Sequence, residues 1–277
     1  MPPCPRAHAL LLLLLVPAAA EAQAARRGAP PPDPMLDHTI SVTGALGYAS
    51  TETRLRFDAS DGTSGTPLDG EADLGLDEGS RADRLEVTLR PRPRHRIRLG
   101  YDALPSERSA SAVIGEDIRF GDDVYLAGET VETRFRLRSW SGSYGYSLAR
   151  NPRVEFGVSA GVASIGVRAD VGVPARLVGE SEEYTVLAPQ AGADVSVRFT
   201  ARWYGEARYQ YFRLQQSDAD GQLTRADAAV MFQASPHLAL GLGFSLFDGD
   251  IEFTDPGESS RYRQRSDSIL LLIRAGL

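Results

Sequence analysis

The chain has 277 residues and a net charge of −7, from 30 basic and 37 acidic side chains. No lysine is present, so every basic residue other than histidine is arginine, and Cys4 is the single cysteine. Without a second cysteine the chain cannot form an internal disulfide or a zinc site built from several thiolates.

Residues 1–22 have the three parts of a secretory signal peptide. Arg6 precedes the apolar run ALLLLLLVPAAA (9–20), and the small-residue pattern AEA (20–22) follows it. A membrane-spanning helix needs about 18 or more apolar residues, so we expect cleavage near residue 22 rather than an anchor. Cleavage would remove Cys4, and secretion argues against a nuclear or cytosolic nucleic-acid binder.

Residues 23–37 are rich in proline and predict a short periplasmic lead-in, while residues 38–277 predict one all-β domain. From residue 38 onward, apolar and polar residues alternate with a period of two, and we find no convincing helical period. Ten amphipathic strands are predicted. They lie near 40–48, 84–90, 96–102, 140–148, 154–162, 187–198, 203–211, 225–233, 238–246 and 269–277.

The connections between these strands alternate between short turns and longer loops. Loops rich in Gly, Asp, Glu and Ser are expected around 50–81, 104–131, 169–183, 216–222 and 249–261. Short turns at one end and longer loops at the other are typical of an outer-membrane barrel. We therefore predict a transmembrane antiparallel up-and-down β-barrel of about 10 strands, with 8 or 12 as alternatives. A soluble sandwich or lipocalin-like barrel fits less well, because glycine and charged residues share one face.

The arginine-rich stretch RPRPRHR (90–96) resembles a nucleic-acid-binding arm when taken alone. In a barrel it becomes the periplasmic turn between the second and third strands, where Pro91 and Pro93 need no ladder hydrogen bond. The other short turns also carry arginine, whereas the longer loops are acidic. We therefore predict no nucleic-acid binding, and expect acidic extracellular loops that are either solvated or bound to divalent cations.

Residues 38–277 resemble the small outer-membrane β-barrel proteins of Gram-negative bacteria, including the terminal alternating strand that serves as a signal to the barrel assembly machinery. This chain departs from that pattern by ending in Leu277 instead of Phe or Trp. LDGEADLGLD (68–77), RHRIRLGYDAL (94–104) and IRFGDDVYLAGETVETRFRLRSWSGSYGYSL (118–148) resemble a largely uncharacterised group of such barrels. The resemblance implies an outer-membrane address and no assigned activity.

The strand pattern places charges of both signs on the inward face. Buried opposite charges must pair to offset desolvation, so we predict a salt-bridged plug in the lumen. Inward-facing Gly157, Gly161, Gly241 and Gly243 would leave room for arginine side chains. The predicted network consists of Glu86, Arg90, Arg98, Asp102, Arg153, Glu155, Asp194, Arg198, Glu206, Arg208, Arg225, Asp227 and Arg274.

Residues 131–148 alternate over more positions than the roughly 9 to 11 that a spanning strand needs. We expect the surplus to project outside, with Arg134, Arg136 and Arg138 in register with lipid-facing Trp140. These arginines would contact lipopolysaccharide phosphates, or else pair with acidic residues of neighbouring strands.

Three functional classes remain open. A non-enzymatic structural or surface-binding barrel is favoured; a narrow channel or small-molecule transporter is the alternative, and an outer-membrane hydrolase is the third. A hydrolase needs a general base near its substrate, but His38, His95 and His237 all map to the periplasmic ends of strands. We therefore predict no catalytic residue, cofactor or metal, and leave the external ligand unnamed.

Overall fold

The computed structural model describes residues 38–103, 108–176, 178–215, 219–255 and 258–277. The predicted signal peptide and lead-in lie outside these residues. None of the described helices is long and apolar enough to cross a membrane. The strands are β1 Ile40–Phe57, β2 Leu68–Asp69, β3 Gly79–Arg92, β4 His95–Ala103, β5 Arg108–Val113, β6 Ile118–Phe120, β7 Asp123–Tyr125, β8 Thr130–Arg150, β9 Val154–Val173, β10 Val178–Arg198, β11 Trp203–Gln215, β12 Ala219–Ser235, β13 Leu238–Asp255 and β14 Glu258–Gly276.

The long strands close into one antiparallel barrel. The order around it is β1, β3, β4, β8, β9, β10, β11, β12, β13, β14, and β14 pairs back onto β1 from Ser41↔Gly276 to Phe57↔Ser260. β4 pairs with the lower, periplasmic part of β8, and β5 pairs with its upper, outer part. The two short strands therefore act together as one barrel strand. The prediction of a ten-stranded antiparallel barrel is confirmed.

A band of apolar side chains faces outward around the lower half of the barrel. Ile269 on β14 is 67 % exposed and Leu242 on β13 is 65 % exposed, although both lie in the middle of a sheet. On β1 the band runs from Ile40 to Tyr48, which matches the span of a transmembrane strand. Such a surface is stable only against lipid.

The outer ends of the strands correct the predicted loop boundaries. The expected loop at 169–183 is strand, with β9 and β10 joined through a short 3₁₀ turn at Pro174–Arg176. The expected loop at 249–261 is likewise mostly strand, since the pairing of β13 with β14 continues to Asp255↔Glu258. β12 already begins at Ala219. The barrel wall therefore continues well beyond the lipid-facing band.

The alternation in these extensions has the opposite polarity, which explains the error. On β1, the outward residues beyond Tyr48 include Glu52 and Arg54, while Leu55 and Phe57 point inward and are buried. The lower barrel is surrounded by lipid and keeps its charges inside, whereas the upper barrel is surrounded by water and keeps its apolar residues inside. The two patterns meet within single continuous strands.

Two outer connections fold into the upper barrel and fill it. The β1–β3 connection contributes Leu74, and the β5–β8 connection contributes Phe120 and Tyr125 of the β6–β7 hairpin, all nearly or fully buried. They pack with Phe135 of β8 and Tyr262 of β14 in one apolar cluster. We call this cluster the apolar plug.

The stretch RPRPRHR forms the predicted turn between β3 and β4. Arg92 pairs with His95 across the turn, and the Arg90 guanidinium donates a 2.7 Å hydrogen bond to the Pro93 carbonyl. Arg90 and Arg96 then point into the barrel and are buried. The arginines of this stretch therefore either form part of the turn or extend into the lumen.

Candidate functional site

A charged network fills the lower lumen beneath the apolar plug. We call it the lumen network. It consists of seven arginines and six carboxylates from β3, β4, β9, β10, β11, β12 and β14, namely Arg84, Arg90, Arg96, Arg98, Arg208, Arg225, Arg274, Glu86, Asp102, Glu155, Asp194, Glu206 and Asp227.

The part of the network nearest the periplasm is organised around Glu155 and Asp194. Arg90 contacts Glu155 at 3.0 Å, and Arg96 lies 3.7 Å from the same carboxylate. Arg96 also donates to both oxygens of Asp194, at 2.7 and 3.2 Å, and Arg98 shares one of those oxygens at 3.1 Å. Asp194 therefore serves two guanidinium groups.

Two bidentate pairs lie in the middle of the lumen. Arg208 donates through both terminal nitrogens to Glu86, and Arg274 does the same to Glu206, at 2.7 and 2.8 Å. The Arg274 Nε–H also donates to the Thr43 hydroxyl at 2.8 Å. This geometry uses the planar fork of arginine, which lysine lacks.

The layer below the apolar plug is organised around Asp102. Arg84 donates to Asp102 at 2.7 Å, and Arg225 binds both oxygens of the same carboxylate at 2.7 and 2.8 Å. Arg84 continues to Asp227 at 3.0 Å and to the Ser245 hydroxyl at 3.1 Å. All the nitrogens of Arg84 are thus engaged.

These contacts cross the barrel instead of running along one wall. Glu86 of β3 meets Arg208 of β11, five strands away in the closed order, and Asp102 of β4 meets Arg225 of β12, also five strands away. In a ten-stranded barrel that separation joins opposite walls. The network therefore cross-braces the lumen, and its pairing offsets the cost of burying charge.

The predicted network differs in membership from the observed one. Arg153 is exposed in the β8–β9 turn, and the Arg198 N–H binds the Arg153 carbonyl there at 2.7 Å, so both residues belong to the periplasmic rim. The prediction omitted Arg84 and Arg96, although both share the inward phase of their strands. Gly157 does make room for an arginine: a Cβ at this position would collide with the Arg96 guanidinium. Gly161, Gly241 and Gly243 lie against backbone and uncharged side chains instead.

Arg134, Arg136 and Arg138 project from the outer wall, where β8 leaves the apolar band. Their outward phase is that of Trp140, which is 64 % exposed and forms a ring pair with Tyr101 at 4.6 Å. Arg134 lies opposite Asp170, whereas Arg136 lies opposite Arg168 on β9. We call these three residues the arginine ladder.

A second set of outward arginines, not predicted from the sequence, lies at the β14–β1 seam. Arg54 lies directly opposite Arg263, and Arg56 lies opposite Arg261. The alternation RYRQR (261–265) carried this signal, but it lay between the predicted loop, which ended at 261, and the predicted strand at 269–277. Arg261 is neutralised by Asp250 on β13 at 2.8 Å.

Several acidic residues of the outer loops support the fold instead of forming a free acidic surface. Glu71 is mostly buried and pairs with Arg108 inside the apolar plug. Asp122 accepts the Ser60 N–H at 2.8 Å, and Asp73 accepts the Asp69 N–H at 2.7 Å. Asp250, expected in a loop, lies on β13. The described residues contain no group of three or more acidic, His or Cys side chains that could hold a metal ion.

The histidines lie at the periplasmic end of the barrel. His38 and His237 have ring centroids 5.3 Å apart, and the His38 Nε2 contacts the Pro236 carbonyl at 2.8 Å. His95 contacts the Tyr144 hydroxyl at the rim of the apolar band. In the described ranges, therefore, no histidine lies near the outer loops, where an external substrate would arrive.

The fold and its lipid-facing band define a transmembrane β-barrel of the Gram-negative outer-membrane class, and the outer membrane is where the chain resides. No protein-family model matches the chain, and no curated protein matches it. Among solved structures, the outer membrane protease OmpT from Escherichia coli is similar at 9% identity, with a TM-score of 0.55 over 87% of this chain and 97% of that one. At this identity the likeness shows the fold alone.

Two other solved barrels superpose less well. Neisserial surface protein A has 12% identity and a TM-score of 0.36 over 86% of this chain and 97% of that one. The transport unit of the autotransporter AIDA-I from Escherichia coli has 8% identity and a TM-score of 0.43 over 96% and 94%.

Proposed function

We propose that this protein is a non-enzymatic outer-membrane barrel with a structural or surface-binding role, and that its lumen does not conduct. The observation that carries the proposal is the double closure of the interior. The lumen network braces the lower barrel from wall to wall, and the apolar plug fills the upper barrel. A ten-stranded barrel is also near the size at which side chains fill the interior.

The absence of conduction is tested in planar lipid bilayers. We expect the purified, folded barrel to give no stable steps, while a general porin inserted under the same conditions gives large ones. The double variant Glu86→Gln/Arg208→Gln removes one cross-brace without leaving a net charge, and it should stay silent because the apolar plug remains. Porin-like steps from the unmodified barrel would overturn the proposal in favour of the channel alternative.

The surface-binding part of the proposal is assigned to the arginine ladder. Arg138 is one outward position above Trp140, and two residues of a tilted strand rise about 5 Å. We infer that this height is that of the phosphate layer of the outer leaflet. Arginine binds phosphate through paired N–H groups, whereas Arg168, which lies opposite Arg136, already pairs with Asp170 and Glu183.

This assignment is tested by the triple variant R134Q/R136Q/R138Q. We expect it to retain less lipopolysaccharide per folded barrel after detergent extraction. The matched control is R92Q/R94Q/R202Q, which removes the same charge from exposed positions in the periplasmic turns. Equal retention by both variants would remove the ladder as a lipopolysaccharide site and leave the barrel architecture unaffected.

A further inference from the structure

A cavity of about 100 Å³ remains within the lower lumen. His38, Ser41 and Ser196 mark its periplasmic side, and Arg84 and Asp227 mark its upper end. The apolar plug lies above that upper end. The described lining residues therefore extend from the periplasmic end of the barrel to the layer below the apolar plug.

The cavity wall is predominantly cationic. Six arginines of the lumen network line it, against four carboxylates. The nearby periplasmic turns carry Arg92, Arg94, Arg150 and Arg202. The described wall therefore carries two more arginines than carboxylates, and a net positive charge in a cleft of low dielectric attracts anions.

The charge balance of the lumen network identifies one surplus cation. Six of the seven arginines can each be assigned a carboxylate of their own by the contacts given above. The seventh is Arg98. Its one described ion pair is with Asp194, whose two oxygens already bind Arg96.

Arg98 is also placed to meet a ligand. Its side chain is only 11 % exposed, so it has little access to bulk water. It lines both this cavity and the smaller one that adjoins Arg84 and Asp102. The described hydrogen bond uses Nη1 alone, which leaves the Nη2 and Nε donors for an occupant of the cavity. A buried guanidinium with a shared counter-ion is costly unless another anion completes its pairing.

We propose that this cavity is a binding site for a small oxyanion, a phosphate or carboxylate group, that enters from the periplasm and is held by Arg98. The oxyanion would accept N–H hydrogen bonds from Arg98 and neutralise the surplus charge. The site is distinct from the arginine ladder, which lies on the outer wall. It needs no passage through the barrel, so it is compatible with a closed lumen.

The first experiment is equilibrium dialysis of radiolabelled inorganic phosphate against the folded barrel in non-ionic detergent, with sodium chloride at constant ionic strength. We expect saturable binding near one phosphate per barrel, and at least a tenfold loss of affinity in Arg98→Gln. The control is Arg213→Gln, which removes an arginine from the outer wall and should bind as the unmodified chain does. No binding above the chloride background, or undiminished binding by Arg98→Gln, would overturn the proposal.

A second measurement does not depend on the choice of anion. Because Arg98 is the surplus cation, Arg98→Gln should raise the melting temperature of the barrel in low salt without phosphate. Arg274→Gln lines the same cavity but strips Glu206 of its described partner, so it should lower the melting temperature. A fall for both variants would show that Arg98 is balanced within the network, which would contradict the proposed site.

Discussion

At the scale of single residues, the lower lumen shows how buried charges are stabilised by well-placed hydrogen bonds. Asp102 is 7 % exposed, yet it receives hydrogen bonds from Arg84 on one side and from Arg225 on the other. Each guanidinium is fixed by several bonds, so the carboxylate is solvated by the protein itself. The stability of such a network depends on its charge balance more than on any one contact.

Removing one partner of the Asp102–Arg225 pair should therefore cost more stability than removing both. We expect Asp102→Asn to destabilise the barrel by about 3 kcal/mol, because Arg84 and Arg225 are left with too little negative charge. The double variant Asp102→Asn/Arg225→Gln should recover most of that loss. Denaturant unfolding in detergent, followed by the shift between folded and unfolded bands, measures both. A double variant less stable than the single one would contradict this interpretation.

Gly157 offers a steric test of the same network. A methyl group at this position would strike the Arg96 guanidinium and lie 3.1 Å from the Tyr146 carbonyl. We expect Gly157→Ala to cost roughly 1–3 kcal/mol of stability, as overpacking does. Gly44→Ala is the matched control, since nothing lies within 4 Å of a Cβ there. Equal stability of the two variants would place Arg96 elsewhere in the lumen.

At the scale of strands, the extended hairpins above the membrane depend on outward ion pairs as well as on the apolar plug. Arg261 of β14 binds both oxygens of Asp250 on β13, at 3.0 and 2.8 Å. These hydrogen bonds keep the pKa of the Asp250 carboxyl below its ordinary value. Both side chains remain partly exposed, so the pair contributes only about 0.2–1 kcal/mol.

This pair predicts a pH effect confined to one hairpin. A carboxyl whose pKa is lowered in the folded state contributes stability above its unfolded pKa, and that stability is lost as the pH falls through the folded value. We expect amide exchange at the β13–β14 tip, corrected for intrinsic rates, to accelerate below the ordinary pKa of aspartate, about 4. Asp250→Asn should have the faster exchange already at neutral pH. If amide exchange at this tip did not accelerate in acid in the unmodified chain, the Arg261–Asp250 pair would not be what stabilises the hairpin.

Period-two alternation was enough to locate all ten barrel strands, because the lipid-facing band imposes a strict pattern. The same criterion failed above the band, where Leu55 and Phe57 face inward and Arg54 faces outward. A search for apolar residues on the lipid face assigns such segments to loops. The inward phase of Glu86 was readable from sequence, but its partner Arg208 was not, since opposite walls meet only through the stagger of the closed barrel.

At the scale of the whole molecule, the barrel is a stack of two interiors within one wall. The upper interior is apolar, like the core of a water-soluble protein. The lower interior is polar, and the barrel wall around it faces lipid. The β14–β1 pairing runs the full height of both, from Gly276 to Ser260. Closure at this seam therefore joins the two parts into one unit.

Such a unit should behave as a folded outer-membrane barrel in gel assays. We expect the mature chain to fractionate with outer membranes and to migrate differently before and after boiling. Phe135→Ala in the apolar plug should lower the temperature of that change, by an amount equivalent to about 3–5 kcal/mol, without altering fractionation. Recovery of the unmodified chain in the soluble periplasmic fraction would contradict the architecture.

The reversal of polarity along each strand also sets how deeply the barrel sits. From Ile40 to Tyr48 the outer wall is apolar, which at about 3.4 Å per residue and a tilt near 40° gives an immersed height of roughly 20–25 Å. If the barrel lay deeper by one outward position, Arg138 would enter the hydrocarbon layer. If it lay higher by one position, apolar side chains would be exposed to water. The apolar band therefore has a fixed height, and the lipids beside the barrel must adjust the thickness of the bilayer to match it.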